Sequence, residues 1–349
     1  EDPDHGSRQR RMTRQINLMA ADSLRMTTDA SLKQYTDFIL EHANRRSYAE
    51  DPDVLAEAPL FVVDLVCHSG ELFFSTSAEF FVSVPVRMVD EAVQALQGIR
   101  PLDPFDLNFG ATAEELGELP TVQHDEGHVV DAKEKITAAL QASTEPLAEF
   151  LEAFARHLPH VQLDPAEAVK AFANADGPEE ARPSLEEMKA KVLEHHAEKA
   201  RLEGEVPEVV VIGMYLVSLS QVRQVMLEKH QQVADLTVEL IDARAREAVA
   251  KLQAQFTEMH ETLQEQPKDV ERLTEMRVYM KECAVQVDAM QEGIDAMMLH
   301  YDVLEEFRHD TQREDAGARW QVFHWPSRMQ ARIAESEKHM EEDREVFFN

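Results

Sequence analysis

Glycine is scarce in this chain, with 11 in 349 residues, and cysteine scarcer, with two. A phosphate-binding loop needs GxxxxGK[ST] so that backbone N–H groups cradle the phosphates and a lysine reaches their oxygens. No Gly-Lys dipeptide occurs, and neither does GxGxxG. Cys67 and Cys283 stand far apart, which excludes a disulfide scaffold and fits free thiols in a reducing compartment. No run of about 18 apolar residues is present, so no transmembrane helix is expected. The first ten residues, EDPDHGSRQR, lack the apolar core of a signal peptide. They do not begin with Met, and a piece of a longer chain is expected. Positive charge is short as well. Lys and Arg number 35 against 67 Asp and Glu, a net −32. A nucleic-acid binder needs the opposite balance to displace counterions from phosphate. An excess this acidic favours basic partners and disfavours direct docking on an acidic lattice.

What is present is helical periodicity. Apolar residues make up 44% of the chain, enough for real cores. Residues 1–50 are neutral overall, so the net charge sits in 51–349. Residues 11–46 read as a helix, with Ile16, Met19, Leu24, Leu32, Tyr35, Phe38 and Ile39 on an apolar face. Residues 60–84 change character: LFVVDLV, the turn CHSG, ELFFS and EFFVSVP predict strand, turn, strand, strand. Residues 86–97 then predict a helix closed by Gly98. Pro and Gly mark 100–128 as a loop, and helical spacing resumes over 129–158. A short helix is expected up to Asn174, and ADGPEEARP, 175–183, as a linker. Residues 184–203 predict a charged, weakly packed helix.

VPEVVVIGMYLV, 206–217, predicts a strand or extended crossover. A helix over 219–265 follows, in which Val249, Leu252, Phe256, Met259 and Leu263 step by 3 and 4. Gln266-Pro267-Lys268-Asp269 turns the chain, with Asp269 as N-cap. Over 270–308, Leu273, Met276, Met280, Cys283, Val287, Met290, Ile294, Met297, Tyr301 and Leu304 form an unbroken heptad seam. Two long helices joined by so short a turn lie antiparallel, each roughly 60–70 Å long. A last helix is expected from Ser327 to Phe347, after Trp320 and Trp325-Pro326. The expected fold is mainly α: elongated helical bundles with a long antiparallel hairpin and one small β element near 60–84. Three regions are expected: 1–110, a stem helix with a small β/helix module; 111–204, an acidic connector; and 205–349, the long hairpin and following helix.

Chemistry is sparse. HExxH is absent. His124-Asp125-Glu126-Gly127-His128 could offer two imidazoles to Zn²⁺ only on a helix, which Gly127 opposes; a solvated loop is the plainer reading. His157, His160, His195 and His196 read as surface imidazoles. Cys67 adjoins His68, but sequence adjacency is not catalytic geometry. Cys283 lies on the seam and reads as a small buried apolar residue. The seam methionines could form an adaptable partner groove, with core packing the favoured reading. No catalytic, metal or cofactor residue is assigned.

VPEVVVIGMYLVSLSQVRQVM, the long helix, EQPKDVERLTEMRVYM, the heptad helix ending LHYDVLEEF and then ARWQVFHWPSRM together resemble the stem of dynein heavy chains just before the linker. ADSLRMTTDASLKQYTDFILEH and the 60–84 segment are similar to axonemal members, more to single-headed inner-arm types than to outer-arm ones. The resemblance implies a large ATP-driven, minus-end-directed microtubule motor of cilia and flagella. Its ATP and Mg²⁺ would be bound in AAA+ modules outside this segment. It also implies dynein light or intermediate chains and axonemal docking proteins as partners, and contact with the microtubule doublet through other regions. It implies location in the axoneme, with no nucleic acid or membrane involved. Trp320, Trp325 and Pro326 match a structural signature. The segment itself is expected to transmit force without catalysis, bending at 175–183 and at Glu205 to Pro207. The alternatives are a stand-alone acidic coiled-coil scaffold and a small acidic enzyme, the latter requiring a pocket with converging polar groups.

Overall fold

The structure, a computed structural model, describes residues 3–49, 59–102, 119–174, 182–265, 270–310 and 313–348. The expected N-cap Asp269, most of the 100–128 loop and most of the 175–183 linker lie outside these residues. The fold is mainly α with one small sheet, as the periodicity predicts. The chain forms two compact units, Glu1–Gln162 with Leu202–Met226, and Leu163–Arg201 with Leu227–Asn349.

The first unit contains α1 (Pro3–Ala43), β1 (Tyr48–Ala49), β2 (Phe61–His68), β3 (Glu71–Phe74), α2 (Ala78–Gln97) and α3 (Gly127–Phe154). After a 3-10 turn at Ala155–His157 come α4 (Leu158–Gln162), β4 (Val209–Ile212) and β5 (Tyr215–Ser218). The strand order is β1-β4-β5-β2-β3. Among the described strands only β2 and β5 pair in parallel, with Phe61 opposite Tyr215 and Asp64 opposite Ser218. The β element is therefore larger than the 60–84 segment, because two of its strands come from the VPEVVVIGMYLV run.

Strand β2 alternates as a half-covered strand does: Val63 and Leu65 are buried while Val62 and Asp64 face outward. Ser69 and Gly70, both at positive φ, turn it into β3. On the buried face Phe61 stacks on Tyr215, and Phe81 of α2 meets Tyr215 edge-on at 5.1 Å. The Tyr215 hydroxyl shares a hydrogen bond of 2.9 Å with Ser143 of α3. Helices α2 and α3 are thus pinned to the same side of the sheet.

EFFVSVP is not a strand, as expected above, but the first two turns of α2. Ser77 caps that helix, its side chain accepting from the Phe80 N–H. Phe81, Pro85, Val89 and Val93 are buried at steps of four, a helical stripe concealed by β-branched composition. Pro85 lies inside the helix, and its carbonyl accepts from the Tyr35 hydroxyl of α1 at 3.2 Å.

The second unit holds α5 (Pro165–Ala173), the segment of α6 (Leu185–Glu205) up to Arg201, α7 (Ser220–Thr262) from Leu227 onward, α8 (Val270–Glu306) and α9 (Arg313–Phe348). Asp164 caps α5 through the N–H groups of Ala166 and Glu167. Arg308, at φ 55, ends α8, and the His309 N–H closes on the Leu304 carbonyl.

Two expectations fail in this unit. Helix α6 is not weakly packed: Met188 and Val192 are fully buried in one cluster with Ala234, Val238 and Ile241 of α7. The last helix does not start after Trp325-Pro326 but spans both, from Arg313. Flanking turns held by packing on neighbouring helices accommodate a proline that sequence reasoning takes as a boundary.

At the β4–β5 turn Gly213 has φ +57, and a Cβ there would lie 2.8 Å from the Arg45 carbonyl oxygen. Its N–H donates to the Ser47 carbonyl at 2.7 Å. Gly213→Ala should therefore destabilise the chain by about 1–3 kcal/mol. Urea unfolding monitored by far-UV circular dichroism would check this; an unchanged midpoint would contradict the geometry.

Candidate functional site

The seam residues of α8 come together as the core of a three-helix bundle. Leu273, Met276, Met280, Cys283, Val287, Ile294, Met297, Tyr301 and Leu304 are all buried, and Met290 is half-buried. Helices α7 and α8 run antiparallel: a Cβ on Gly293 would touch Leu252, and nearer the other end His309 lies 3.6 Å from Asp242. Helix α9 returns against α8, with Arg319 on Glu305 at 3.0 Å and Arg277 on Glu341 at 3.6 Å. It therefore runs alongside α7. The bundle is up-down-up.

The two tryptophans of α9 do different work. Trp325 stacks on Phe256 of α7, 5.8 Å between centroids and 5° between planes, and meets His260 edge-on. Trp320 is exposed and forms an aromatic group with Phe323 and His324. Pro326 follows Trp325 within the helix. Arg332 and Ser336 both donate to the Leu263 carbonyl at the end of α7. These contacts satisfy an acceptor that a helix end leaves open.

A polar cluster ties the opposite end. Arg246 bonds Asp242 one turn before it at 2.5 Å and reaches Asp315 of α9 at 3.0 Å. Tyr301 is buried beside them, with the Arg319 guanidinium 4.8 Å over its ring. Burial first, then the charges of Asp315 and Asp242, hold its hydroxyl above the usual tyrosine range. The arginines oppose that rise.

The sequence missed α6 as a packed element. Met188, Val192, His195 and Leu202 are buried at heptad spacing, a pattern broken in the sequence by charged neighbours. His195 is therefore not a surface imidazole, and neither is His157; both are buried, while His160 and His196 are half-buried. The His195 and His230 Nδ1 atoms lie 2.9 Å apart, so one imidazole donates to the other and at least one is neutral. Burial first, then Lys191, hold the His195 pKa below its ordinary value, against the pull of Glu194 and Glu198.

The remaining candidates do not converge. His124 pairs with Asp90 at 3.2 Å, and His128 with Asp29 at 2.9 Å. Asp90 is held below the usual carboxylate range, chiefly by its hydrogen bond from Lys133. Burial works against the Glu126 carboxylate, but the Arg25 guanidinium and the Gln123 N–H outweigh it and keep its pKa low. Among the described residues no group of three or more His, Cys, Asp or Glu side chains could hold a metal ion. Cys67 and His68 are successive residues of β2 and point to opposite faces. Cys283 is buried, and burial pushes its thiol pKa up, which makes it a poor nucleophile. A groove of about 610 Å³ beside β1 is lined by Arg45, Arg46, Arg156, Glu149 and Phe150, with no histidine or cysteine on its wall. No described helix is long and apolar enough to cross a membrane.

No protein-family model matches the chain. It is 25% identical to dynein axonemal heavy chain 1 of Mus musculus and 23% identical to that of Homo sapiens, in each case over 353 residues and 98% of the chain. The Rattus norvegicus protein of the same name is 23% identical over 393 residues. The chain is homologous to a segment of this axonemal dynein heavy chain. It spans 8% of the length of these relatives. The aligned span takes in nearly the whole chain, so the likeness to dynein is not confined to the long helices that any coiled coil would share.

In this dynein-like bundle the seam positions differ in depth. Ile294 is 1% exposed, so Ile294→Asp should cost about 3–5 kcal/mol, a charge left unpaired in a dry core. Met290→Asp, at a half-buried position, should cost about 1–2 kcal/mol. Thermal melting of both variants would test the difference; equal losses would contradict the depth assignment. The His195 environment predicts pH dependence. The folded state binds its proton less readily than the free imidazole at about 6.5, so its stabilisation is complete above that pH and is lost as pH falls below it. Melting temperature should drop between about pH 7 and pH 5, and His195→Leu should flatten that drop. An identical pH slope in the variant would remove His195 as its source.

Proposed function

We propose that the chain is a stem segment of an axonemal dynein heavy chain, placed just before the linker, and that it transmits force rather than catalysing a reaction. The observation that carries this reading is the continuous buried seam of α8, shared with α7 and α9, in a chain homologous to dynein heavy chain along nearly its whole length. Three helices side by side shear only by breaking many packed layers together. Each fully buried large side chain contributes about 1.5–3 kcal/mol. Axial pull is therefore spread over the bundle and not focused on one contact. The bending expected at Glu205 to Pro207 is opposed by the packing there, since Leu202 and Val206 are buried and Arg223 donates to the Val206 carbonyl at 2.9 Å.

On this reading the parent chain is an AAA+ motor that binds ATP and Mg²⁺ elsewhere. This segment holds neither and has no catalytic residue of its own. Light or intermediate chains and axonemal docking proteins are its partners, the doublet microtubule is contacted through other regions, and the axoneme of cilia or flagella is its location. The single-headed inner-arm type is the preferred class. A free-standing acidic scaffold accounts for the heptads and the charge, but not for likeness to a dynein heavy chain across sheet and bundle alike.

An antibody against residues 227–310, used on isolated cilia and soluble extract, tests the reading. The expected result is one ciliary band roughly ten times heavier than 39.7 kDa, released by high salt. A soluble band near 40 kDa would overturn it in favour of the scaffold.

A further inference from the structure

The buried seam of α8 sets a heptad, with Leu273 at position a and Met276 at d, so positions b, c and f form its outer face. Helix α7 lies on the g side, at Gly293, and α9 on the e side, at Arg277 and Glu305. Between 271 and 302 all fourteen residues at b, c and f are exposed. A bundle helix normally carries polar side chains there. Yet Val278, Val285 and Leu299, all at f, are 54%, 70% and 57% exposed. Ala289 and Ala296 stand beside them at c. With Glu282 and Glu292 in the gaps, the line from Val278 to Leu299 alternates steps of 4 and 3. It is a second seam, back to back with the buried one.

The charge on this face has one sign. Its fourteen positions hold seven acids and one base, Lys281. Glu282 and Glu292 lie within the line, and Asp288 and Asp295, at b, run beside it. Glu275 is paired with Arg272, and Asp295 accepts from Gln291 at 2.9 Å; both carboxylates are on exposed residues. The chain supplies its own example of what such a face accepts. At the far end of the same helix Val303, at c, is buried, and Phe307 meets the His196 ring of α6 at 6.2 Å. Lys189 of α6 donates to Glu306, at f. A helix with a lysine on a flanking carboxylate thus covers the last turns, and the exposed line continues from there. We infer that the rest of this face docks a basic amphipathic helix of another protein. Its apolar stripe lies on the line from Val278 to Leu299, and its Lys or Arg side chains meet Glu282, Glu292, Asp288 and Asp295. This is helix-on-helix recognition with charge setting the partner. A second copy meeting the face with its own would set seven acids against seven. An anionic membrane is repelled by the same carboxylates, and the fourteen positions hold no Trp, Tyr or Phe to seat in an interface. The inference rests on this face and not on the force-transmitting reading, so either can fail alone.

The test uses the 349-residue chain and three labelled synthetic peptides of three heptads. The first has Leu at d, Ala at a and Lys at e and g. The second has Glu in place of Lys, and the third is a scramble of the first. Fluorescence anisotropy should show the first binding at least about tenfold more tightly than either of the others. Val285→Gln/Leu299→Gln should weaken that binding by about tenfold with net charge and melting temperature unchanged, as both side chains face solvent. Glu282→Gln/Glu292→Gln should weaken it and reduce its salt dependence. No binding, or unaltered binding by the Val285/Leu299 variant, would overturn the inference. Equal binding of the scramble would do so as well, since it would mean unspecific adsorption of cations on an acidic chain. A lower melting temperature in the Val285/Leu299 variant would show the line to be covered within the chain and would also overturn it. So would self-association of the wild-type chain lost in that variant, which would make a second copy the occupant. Adsorption to phosphatidylserine vesicles lost in the same variant, without peptide binding, would overturn it in favour of a membrane surface.

Discussion

Four residue pairs, from Phe61–Tyr215 to Asp64–Ser218, join β2 to β5 in parallel, and through them the β2–β3 hairpin and the β1, β4 and β5 strands become one sheet. Parallel strands cannot be joined by a tight turn, so a long crossover is obligatory. Here it carries α2 and α3, which cover one face of the sheet through Phe81 and Ser143 on Tyr215. The same crossover leaves the first unit at Leu163 and re-enters it at Leu202, supplying α5 and most of α6 to the second. The pairing is non-local, with about 150 residues between its partners, and its loop-closure entropy has to be met before any of those contacts stabilise the fold.

The second unit obeys a more local rule. Side chains spaced by 3 and 4 on α7 and α8 have to leave water, and antiparallel helices allow this along their length. Helix α9 completes the enclosure with Val322, Trp325, Met329 and Met340. Polar contacts are placed at the two ends: Arg332 and Ser336 on the Leu263 carbonyl at one, Arg246 with Asp242 and Asp315 at the other. Apolar burial supplies most of the stability. The paired ends fix register, since a one-turn slip of α9 would part Arg246 from Asp315 and Trp325 from Phe256 together.

Legibility in the sequence followed this division. The α8 seam could be read position by position because its period is uninterrupted and its partners lie one turn away in sequence. Helices α2 and α6 were harder. In α2, Val and Phe suggested a strand, and the Ser77 cap and four-residue stripe outweighed that composition. In α6 a buried histidine stands in an apolar stripe, and hydropathy does not mark it as interior. The β2–β5 pairing left no local trace at all, since nothing in either strand names a partner so distant. Pro326 misled for the opposite reason, because a local rule about proline gave way to packing on both sides of it. The candidate site was legible as a seam with a helix following it, but not as a bundle in which that helix packs, for α9 buries widely spaced residues among charges.

The division into units has a consequence for wiring. The chain passes between them three times, at Gln162–Leu163, Arg201–Leu202 and Met226–Leu227. Two of these crossings fall inside helices, α6 and α7. A polypeptide threaded in this way is stitched, not strung: tension entering one unit reaches the other along three covalent strands, and one nick in any of them leaves the halves tethered.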